Sequence, residues 1–310
     1  MKTDSILVGK SGKKIHLSTW VPQTNPVAAV QIIHGMAEHS GRYNKFANFL
    51  TKRGFVIFAH DHPGHGKTDT DQLGFVAENK GFELLVQTVD DVNRLITESH
   101  PDLPLIMFGH SMGSFLLQRY LQIHSTEPNA VIYSGSNGKP PFMLNIGILI
   151  SSILKKIFGA QAKSPLLETL SFGAYNKKFR PNRTEFDWLS SDTEMVDLYM
   201  DDPLCGFTCT TSFYHQLFTG IKSIHSHTPF SDHSNEIPIL VLSGDSDPVS
   251  NMGKGIFSLE KCIRNSGIID LEAQLYPGGR HEMLNETNRE DVMDSILKWI
   301  ETKIGRHNQH

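Results

Sequence analysis

Gly109-His-Ser-Met-Gly113 places a serine between two glycines, directly after an apolar run and before a segment with helical apolar spacing. The apolar run is Leu103-Pro-Leu-Ile-Met-Phe108, and the helical segment covers residues 114–121. A serine on a tight strand-to-helix turn needs neighbours without a Cβ two residues away, because strand and helix nearly touch there. The turn exposes the hydroxyl above the positive end of the helix. The pattern predicts Ser111 as a catalytic nucleophile; the alternative is a plain structural turn.

A serine hydroxyl needs a base that removes its proton and a third group that orients the base. In this strand–turn–helix setting, the acid and then the histidine are expected later in the chain, on loops after late strands. The predicted strand 271–276 leads into Pro277-Gly-Gly-Arg-His281. We therefore predict His281 as the general base, since it is the histidine on a loop directly after the last strands.

Two aspartates compete for the role of the acid, because the predicted strand 237–243 leads into Gly244-Asp-Ser-Asp-Pro248. We predict Asp247, since Pro248 stiffens the following turn and a residue farther from the strand end can reach across to the histidine. Asp245 is then a turn former, which is a common role for an aspartate at a strand end.

The tetrahedral intermediate of acyl transfer carries an oxyanion, which preorganised N–H donors stabilise. Met112, the residue after the nucleophile, supplies one backbone N–H. The second donor is expected from the loop after an earlier strand, where His34-Gly35-Met36 lies, and we predict the N–H of Met36. Gly35 permits the backbone to turn towards the site. The chemistry predicted from these residues requires no metal and no organic cofactor.

Apolar runs predict the strands that position these residues, with helices between them. Strands are predicted at 27–33, 55–59, 103–108, 130–134, 237–243 and 271–276, and helices at 43–52, 82–99, 114–121 and 289–303. This alternation predicts an α/β fold with a mostly parallel central sheet flanked by helices. The alternation stops after Ser136 and resumes near residue 237. We therefore interpret 137–228 as a mainly helical cap inserted between late strands, and 1–136 with 229–310 as the core.

The composition limits the classes of partner and compartment. The 310-residue chain has a formal net charge of −4, which gives no reason to expect a nucleic-acid partner. Its N-terminal residues contain no apolar segment of signal-peptide length, and no stretch reaches the roughly 18–20 apolar residues of a membrane span. Cys205, Cys209 and Cys262 form no C-x-x-C pair, which is typical of free thiols in a reducing compartment. We expect a cytoplasmic protein.

Six sequence pieces in this order resemble the monoacylglycerol lipase and lysophospholipase branch of the α/β-hydrolases. They are His34-Gly35, Glu38-His-Ser-Gly-Arg-Tyr43, Asp61-x-x-Gly-His-Gly66, Gly109-His-Ser-Met-Gly113, Gly244-x-x-Asp247 and His281-Glu-Met-Leu-Asn285. Members of that family are cofactor-free serine esterases with a lid over an acyl-chain tunnel. The resemblance implies the same triad and oxyanion donors as the analysis above. It also implies a monoacylglycerol lipase, with a lysophospholipase or a medium-chain carboxylesterase as alternatives.

Phe142 to Phe158 is the most apolar stretch of the chain and lies in the predicted cap. It is too short and too interrupted to span a bilayer. Three interpretations remain: a helix buried between cap and core, a lining of the acyl tunnel, and a lid surface that contacts a lipid interface. We treat the stretch as the candidate substrate-binding segment. The third interpretation adds a transient, peripheral contact between the cap and a membrane surface.

Two other classes of function fit parts of the sequence. His60-x-His62-x-x-His65 has the composition of a metal site, but that interpretation leaves the serine, aspartate and histidine above without a role. A non-catalytic hydrolase-like binding protein would keep the fold and lose the chemistry. The complete set of nucleophile, acid and base disfavours it. Capped hydrolases that open epoxides use a carboxylate where this chain has Ser111.

Overall fold

The computed structural model describes residues 1–124, 128–138, 143–225 and 236–307. Within these residues one sheet has the strand order β1-β2-β4-β3-β5-β6-β7-β8. The strands are β1 (Lys2–Val8), β2 (Lys14–Trp20), β3 (Ala28–Ile33), β4 (Phe55–His60), β5 (Leu105–His110), β6 (Ala130–Ser134), β7 (Ile239–Gly244) and β8 (Leu271–Tyr276). The β1–β2 and β2–β4 pairs are antiparallel, and all pairs from β4 to β8 are parallel. The predicted mostly parallel α/β sheet is confirmed.

Helices cover both faces of the sheet. On one face lie α2 (Gly81–Ser99), α3 (Met112–Ile123) and α8 (Lys254–Asn265), and on the other lie α1 (Asn44–Thr51) and α9 (Arg289–His307). Alternate residues of each central strand enter opposite cores; in β3, Ala29 joins the first and Val30 the second. Burial on both faces explains why these strands read as nearly continuous apolar runs.

Four further helices lie in the described part of the segment between β6 and β7. They are α4 (Met143–Phe158), α5 (Pro165–Phe172), α6 (Thr193–Asp201) and α7 (Thr211–Ile224). α7 packs against α4 and also against the core helices α2 and α3. Lys155 on α4 donates to the carbonyl of Glu78 at 2.5 Å, and Gln216 on α7 donates to the carbonyl of Ala77 at 3.0 Å. These contacts fasten the inserted helices to the loop before α2.

The helix α8 was absent from the sequence prediction. Its buried positions Ile256, Leu259 and Ile263 follow helical spacing, which was the available signal. Gly253 precedes it in a left-handed conformation with φ of 80°, a conformation that glycine adopts without steric cost. Among the described residues, no helix combines the length and apolar character needed to cross a membrane.

Candidate active site

Ser111 lies on a strained turn between β5 and α3. Its φ of 50° and ψ of −118° fall outside the regions that residues with a side chain usually occupy. Its N–H donates to the carbonyl of Ser134 at the end of β6, at 2.9 Å. A Cβ on Gly113 would lie 2.1 Å from the carbonyl oxygen of Ile33, and one on Gly109 would lie 2.7 Å from the carbonyl oxygen of Gly113. Both glycines are therefore required by close backbone approach.

His281 and Asp247 form a buried pair at the carboxyl ends of β8 and β7. Nδ1 of His281 lies 3.1 Å from Oδ1 of Asp247. That oxygen also accepts from the N–H of Val249 at 2.8 Å, and the other carboxylate oxygen accepts from the hydroxyl of Ser243 at 2.9 Å. Asp245 is exposed and instead accepts from the N–H of Gly278 at 2.9 Å, in the turn after β8. The structure therefore brings His281 to Asp247 rather than to Asp245.

The pair shifts both of its pKa values. Burial lowers the pKa of His281, but the charge and hydrogen bond of Asp247 outweigh burial, so the pKa lies above its ordinary 6.5. Burial raises the pKa of Asp247, and the imidazole together with the donors from Val249 and Ser243 brings it below its ordinary value. The aspartate is therefore ionised and oriented towards the ring, which favours an imidazolium at His281.

Ser111 and His281 line one cavity of about 820 Å³. No hydrogen bond joins the Ser111 hydroxyl to His281 in the described part of the chain. Such contacts are often long in enzymes without substrate and tighten when substrate binds. A Cβ on Gly135 would lie 2.9 Å from Cε1 of His281, so this glycine after β6 leaves space for the ring. The sequence analysis missed that role of Gly135.

Met36 and Met112 line the same cavity. Among the described residues, neither backbone N–H has a hydrogen-bond acceptor. Ala37 has a φ of 54°, so the backbone turns sharply directly after Met36. The N–H groups of these two residues, which line the cavity together with Ser111, therefore stay available to an acceptor bound there, as an oxyanion would be.

Buried histidines hold the loop that carries Met36. Nδ1 of His34 donates to the carbonyl of Gly35 at 2.7 Å, while its Nε2 accepts from the N–H of His62 at 3.0 Å. Nε2 of His62 donates to the carbonyl of His34 at 3.1 Å, and His60 contacts the other nitrogen of His62 at 3.0 Å. Burial lowers the pKa of His60 and of His65 to about 4. Lowered pKa values favour the neutral form of the rings of His60, His62 and His65, which the sequence analysis weighed as a metal site and disfavoured, and His62 uses its nitrogens to fix this loop.

Within the described residues, one other group of side chains has the composition of a metal site. His39, Asp202 and Cys205 bring an imidazole, a carboxylate and a thiol within 4.8 Å of one another. Nδ1 of His39 accepts from the N–H of Gly41 at 3.1 Å, so its Nε2 carries the proton and donates to Asp202 at 2.9 Å. Burial raises the pKa of the Cys205 thiol, which disfavours the thiolate a metal needs. These residues form a contact between the loop after β3 and the inserted segment.

A buried ion network beside His281 was also missed by the sequence analysis. Arg42 binds both oxygens of Glu282 at 2.6 and 2.7 Å and one oxygen of Glu38 at 2.8 Å. Glu38 in turn accepts from the N–H of Gly35 at 2.6 Å. Burial raises the pKa of Glu282, but Arg42 outweighs it and lowers the pKa to about 2. All four residues lie in the pieces that carried the family resemblance, but their spacing did not indicate that they meet.

Helix α4 provides one apolar wall of the cavity. Its lining residues are Met143, Leu144, Ile146, Gly147 and Ile150, and Phe142 lies outside the described residues. Only Ser151 of α4 is fully buried, so the interpretation of this stretch as a helix buried between cap and core is wrong. Leu149, Ile153 and Ile157 form an exposed stripe on another face of the same helix.

Fold and site together define a class of protein. A serine on a strained turn after the central strand, facing the loops after β7 and β8, is the arrangement of an α/β-hydrolase with a serine nucleophile. The chain is a serine hydrolase and belongs to the family described as serine aminopeptidase, S33, which matches residues 24–288. The predicted α/β-hydrolase membership is confirmed.

Curated relatives and a solved structure extend the similarity to nearly the whole chain. The chain is 25% identical to the monoacylglycerol lipase of Mycolicibacterium smegmatis over 96% of its own length and 97% of the relative. It is 27% identical to the monoglyceride lipase of Mus musculus over 96% of its length and 90% of the relative. The crystal structure of a thermostable carboxyl esterase from Bacillus coagulans in complex with glycerol has a TM-score of 0.89 and 27% identity, covering 98% of this chain and 99% of the esterase.

Proposed function

We propose that the protein hydrolyses the ester bond of single-chain lipids, with monoacylglycerols as its preferred substrates. The observation that carries this proposal is the apolar cavity of about 820 Å³ that Ser111 and His281 line. Its size lies in the upper part of the roughly 300–1,000 Å³ range of small-molecule sites. The names of the relatives from Mycolicibacterium smegmatis and Mus musculus support the same substrate class.

The proposed mechanism uses Ser111, His281 and Asp247 as a triad. His281 takes the proton of Ser111 while the hydroxyl oxygen attacks the ester carbonyl, and Asp247 stabilises the imidazolium. The N–H groups of Met36 and Met112 bind the oxyanion. His281 then gives its proton to the leaving alcohol, and a water activated by the same histidine hydrolyses the acyl-enzyme.

In the proposed function, the cap binds the acyl chain of the substrate. Residues 137–228 form the cap in this proposal, and residues 1–136 with 229–310 form the core. The lining residues of α4 contact the acyl chain, because they present a continuous apolar surface to the cavity. The part of the cap at 139–142 and 226–228 lies outside the described residues.

A membrane surface is the proposed source of the substrate. Leu149, Ile153 and Ile157 on α4 and Leu166 and Leu170 on α5 are exposed apolar side chains on helices that also line the cavity. Exposed apolar patches of this kind mark interaction sites, and a lipid surface suits an enzyme whose substrate is a lipid. Lys155 is engaged with Glu78 and Asn79, so the contact rests on the apolar side chains rather than on this lysine.

A hydrolysis panel tests the proposed function. It contains monoacylglycerols, lysophospholipids, triacylglycerols, p-nitrophenyl esters of graded length and an aminoacyl p-nitroanilide. We expect the highest kcat/KM with monoacylglycerols and a loss of the order of 10⁴-fold or more in kcat for Ser111→Ala. Preference for a lysophospholipid or for the anilide would overturn the substrate assignment. Absence of both turnover and fluorophosphonate labelling in the wild type would indicate a binding protein instead.

A further inference from the structure

A short segment of the inserted region runs beside the loop that carries His281. We call residues 187–192 the cap strap. The N–H of Glu282 donates to the carbonyl of Leu189 at 2.8 Å, and the hydroxyl of Ser190 donates to the carbonyl of Asn285 at 2.9 Å. The strap is thus hydrogen-bonded to residues on the C-terminal side of His281.

Arg280 attaches the strap on the N-terminal side of His281. Its Nη1 donates to the carbonyl of Ser190 at 3.0 Å and to the carbonyl of Asp187. The guanidinium carbon lies 4.2 Å from the centre of the Phe179 ring, which also belongs to the inserted region. A charged donor to two backbone carbonyls is a strong anchor, since hydrogen bonds from a charged group are stronger than those between neutral groups.

The buried carboxylate of Glu286 joins the strap to the loop 280–286, which carries His281. One oxygen accepts from the N–H of Arg280 at 2.9 Å and from the N–H of Ser191 at 2.9 Å. The other oxygen accepts from the hydroxyl of Ser191. The residue is 1% exposed. Because the same carboxylate holds the residue before His281 and the strap, the two segments are fixed relative to each other.

The strap also covers the imidazole of His281. The ring of Trp188 lies 5.1 Å from the His281 ring, centre to centre, and it stacks on Phe172 at 6.0 Å with an angle of 7°. Tyr175 contacts the edge of Trp188 at 5.3 Å. His281 is therefore enclosed by Asp247 on one side and by aromatic side chains of the inserted region on another.

We propose that Arg280 and Glu286 are positioning residues for the general base. They hold the cap strap against the loop 280–286, and this loop holds His281 against Asp247 and in reach of the nucleophile. The inserted region then does more than cover the acyl chain, because its strap is part of the support of the base. This inference rests on the proposed function of Ser111, Asp247 and His281.

The first test compares Arg280→Met with Arg280→Lys. The lysine ammonium can donate to the same two carbonyls, whereas methionine keeps apolar bulk and cannot. We expect Arg280→Met to lower kcat by about 10- to 100-fold for both a short p-nitrophenyl ester and a long-chain monoacylglycerol, with little change in KM, because small misplacements of a catalytic group cost up to ~10²-fold. Arg280→Lys is expected to restore most of the rate.

The pH profile separates a positioning role from a general loss of stability. The titratable groups that face His281 or its aspartate are Asp247 after β7, His110 at the end of β5, Glu38 and Arg42 in the loop after β3, Glu282 in its own loop, and Tyr175 from the inserted region. Asp247 is the strongest of those that raise the pKa of His281. A loosened loop weakens that contact and so lowers the pKa of His281. We therefore expect the acid limb of the pH profile, where kcat/KM falls as the pH decreases, to move to lower pH in Arg280→Met.

Arg183→Met is the matched control. Arg183 also lies in the inserted region, and its side chain binds Asp197 at 2.6 Å. Its N–H donates to Asp187 of the strap, a backbone contact that Arg183→Met keeps, and in the described part of the chain no hydrogen bond joins it to residues 280–286. We expect unchanged kcat and an unchanged acid limb for this variant. Glu286→Gln places an amide NH2 where the second carboxylate oxygen accepts from the Ser191 hydroxyl and from the N–H of Thr287, so it weakens the link between strap and loop. It gives a second measurement if Arg280→Met does not fold, with an expected kcat below that of the wild type.

Two outcomes would overturn the inference. One is an Arg280→Met enzyme with wild-type kcat and acid limb; the other, if that variant does not fold, is a Glu286→Gln enzyme with both unchanged. The short ester keeps the test independent of the assigned lipid. Failure of the proposed function would instead appear as a wild type that hydrolyses no ester and does not react with a fluorophosphonate.

Discussion

Asp245 and Asp247 are two residues apart on one loop, yet they have opposite environments. Asp247 is buried and contacts His281, whereas Asp245 is exposed and fixes the turn at Gly278. A carboxylate that orients the base stabilises the imidazolium in the transition state, and an exposed turn former does not. The difference gives a direct test at the residue scale.

We predict that Asp247→Asn lowers kcat by about 10⁴-fold, the size of loss found when an aspartate of a triad is replaced by asparagine. Asp245→Asn serves as the matched control and is expected to keep the kcat of the wild type, since Asp245 is exposed and contacts Gly278 rather than His281. Steady-state kinetics with a soluble p-nitrophenyl ester measure both. Equal losses in the two variants would reject Asp247 as the acid.

The raised pKa of His281 predicts the pH at which the acid limb of the kcat/KM profile lies. The neutral ring is the active form, so activity falls as the pH drops through a pKa above 6.5, and the limb of kcat/KM lies above that value. In Asp247→Asn the raising charge is removed while burial still lowers the pKa, so the limb moves to lower pH. A pH–rate profile of the residual activity checks this. An unmoved limb would mean that another group controls it.

Single residues could be predicted where a strand end dictates the chemistry. Ser111 follows an apolar run and needs two glycines, and both His281 and Asp247 follow late strands, so all three were expected at one edge of the sheet. The contact of Arg42 with Glu282 was not predictable in this way. It joins residues far apart in the chain, and only the packing of the loops after β3 and β8 brings the two charges together.

Helix α4 has one face towards the cavity and another towards solvent, and a substitution on the solvent face can be tested separately from catalysis. One face lines the cavity, and the other exposes Leu149 to solvent over 62% of its surface. We predict that Leu149→Glu weakens flotation with liposomes and raises KM for liposome-borne monoacylglycerol, while kcat for a soluble short ester stays the same. A charge at an interfacial apolar position opposes insertion.

Ile269→Glu is the control for this substitution, because Ile269 is 73% exposed and precedes β8 at the sheet edge opposite to the site. It is expected to float like the wild type. Equal flotation of the Leu149 variant, the Ile269 variant and the wild type would remove the membrane contact from the proposal.

A strand or helix could be predicted from the sequence when each of its faces has a single, uniform environment. The central strands are buried on both faces and therefore stand out as apolar runs. In contrast, α4 has apolar residues on a cavity face, a packing face and a solvent face, so no single period describes it. The sequence could state that this stretch is apolar, but not which of its faces is covered.

At the scale of the whole molecule, buried neutral histidines predict a dependence of stability on pH. Burial lowers the pKa of His34, His60, His62, His65 and His110, three of them to about 4. The unfolded chain binds protons at these rings below about 6.5 and the native state does not, so acid favours unfolding. His281 acts in the opposite direction, because its pKa is raised on folding.

We therefore predict that the free energy of unfolding falls between pH 6.5 and pH 4, by up to about 1.4 kcal/mol per pH unit for each buried histidine. Urea unfolding midpoints at pH 7, 6 and 5 measure the effect, and calorimetry measures the proton uptake that accompanies it. Equal midpoints at pH 7 and pH 5 would contradict the neutral state of these rings.

The strand order also determines when the enzyme becomes active during synthesis. Domains form from the N-terminal side as the ribosome releases the chain, and parallel pairing must wait for strands that are distant in sequence. The central strands β3 and β5 emerge early, so the nucleophile leaves the ribosome long before β7 and β8 bring the acid and the base. A nascent chain that ends before β8 lacks the histidine that we propose as the base, so we expect esterase activity only after β8 and the loop that follows it have been synthesised.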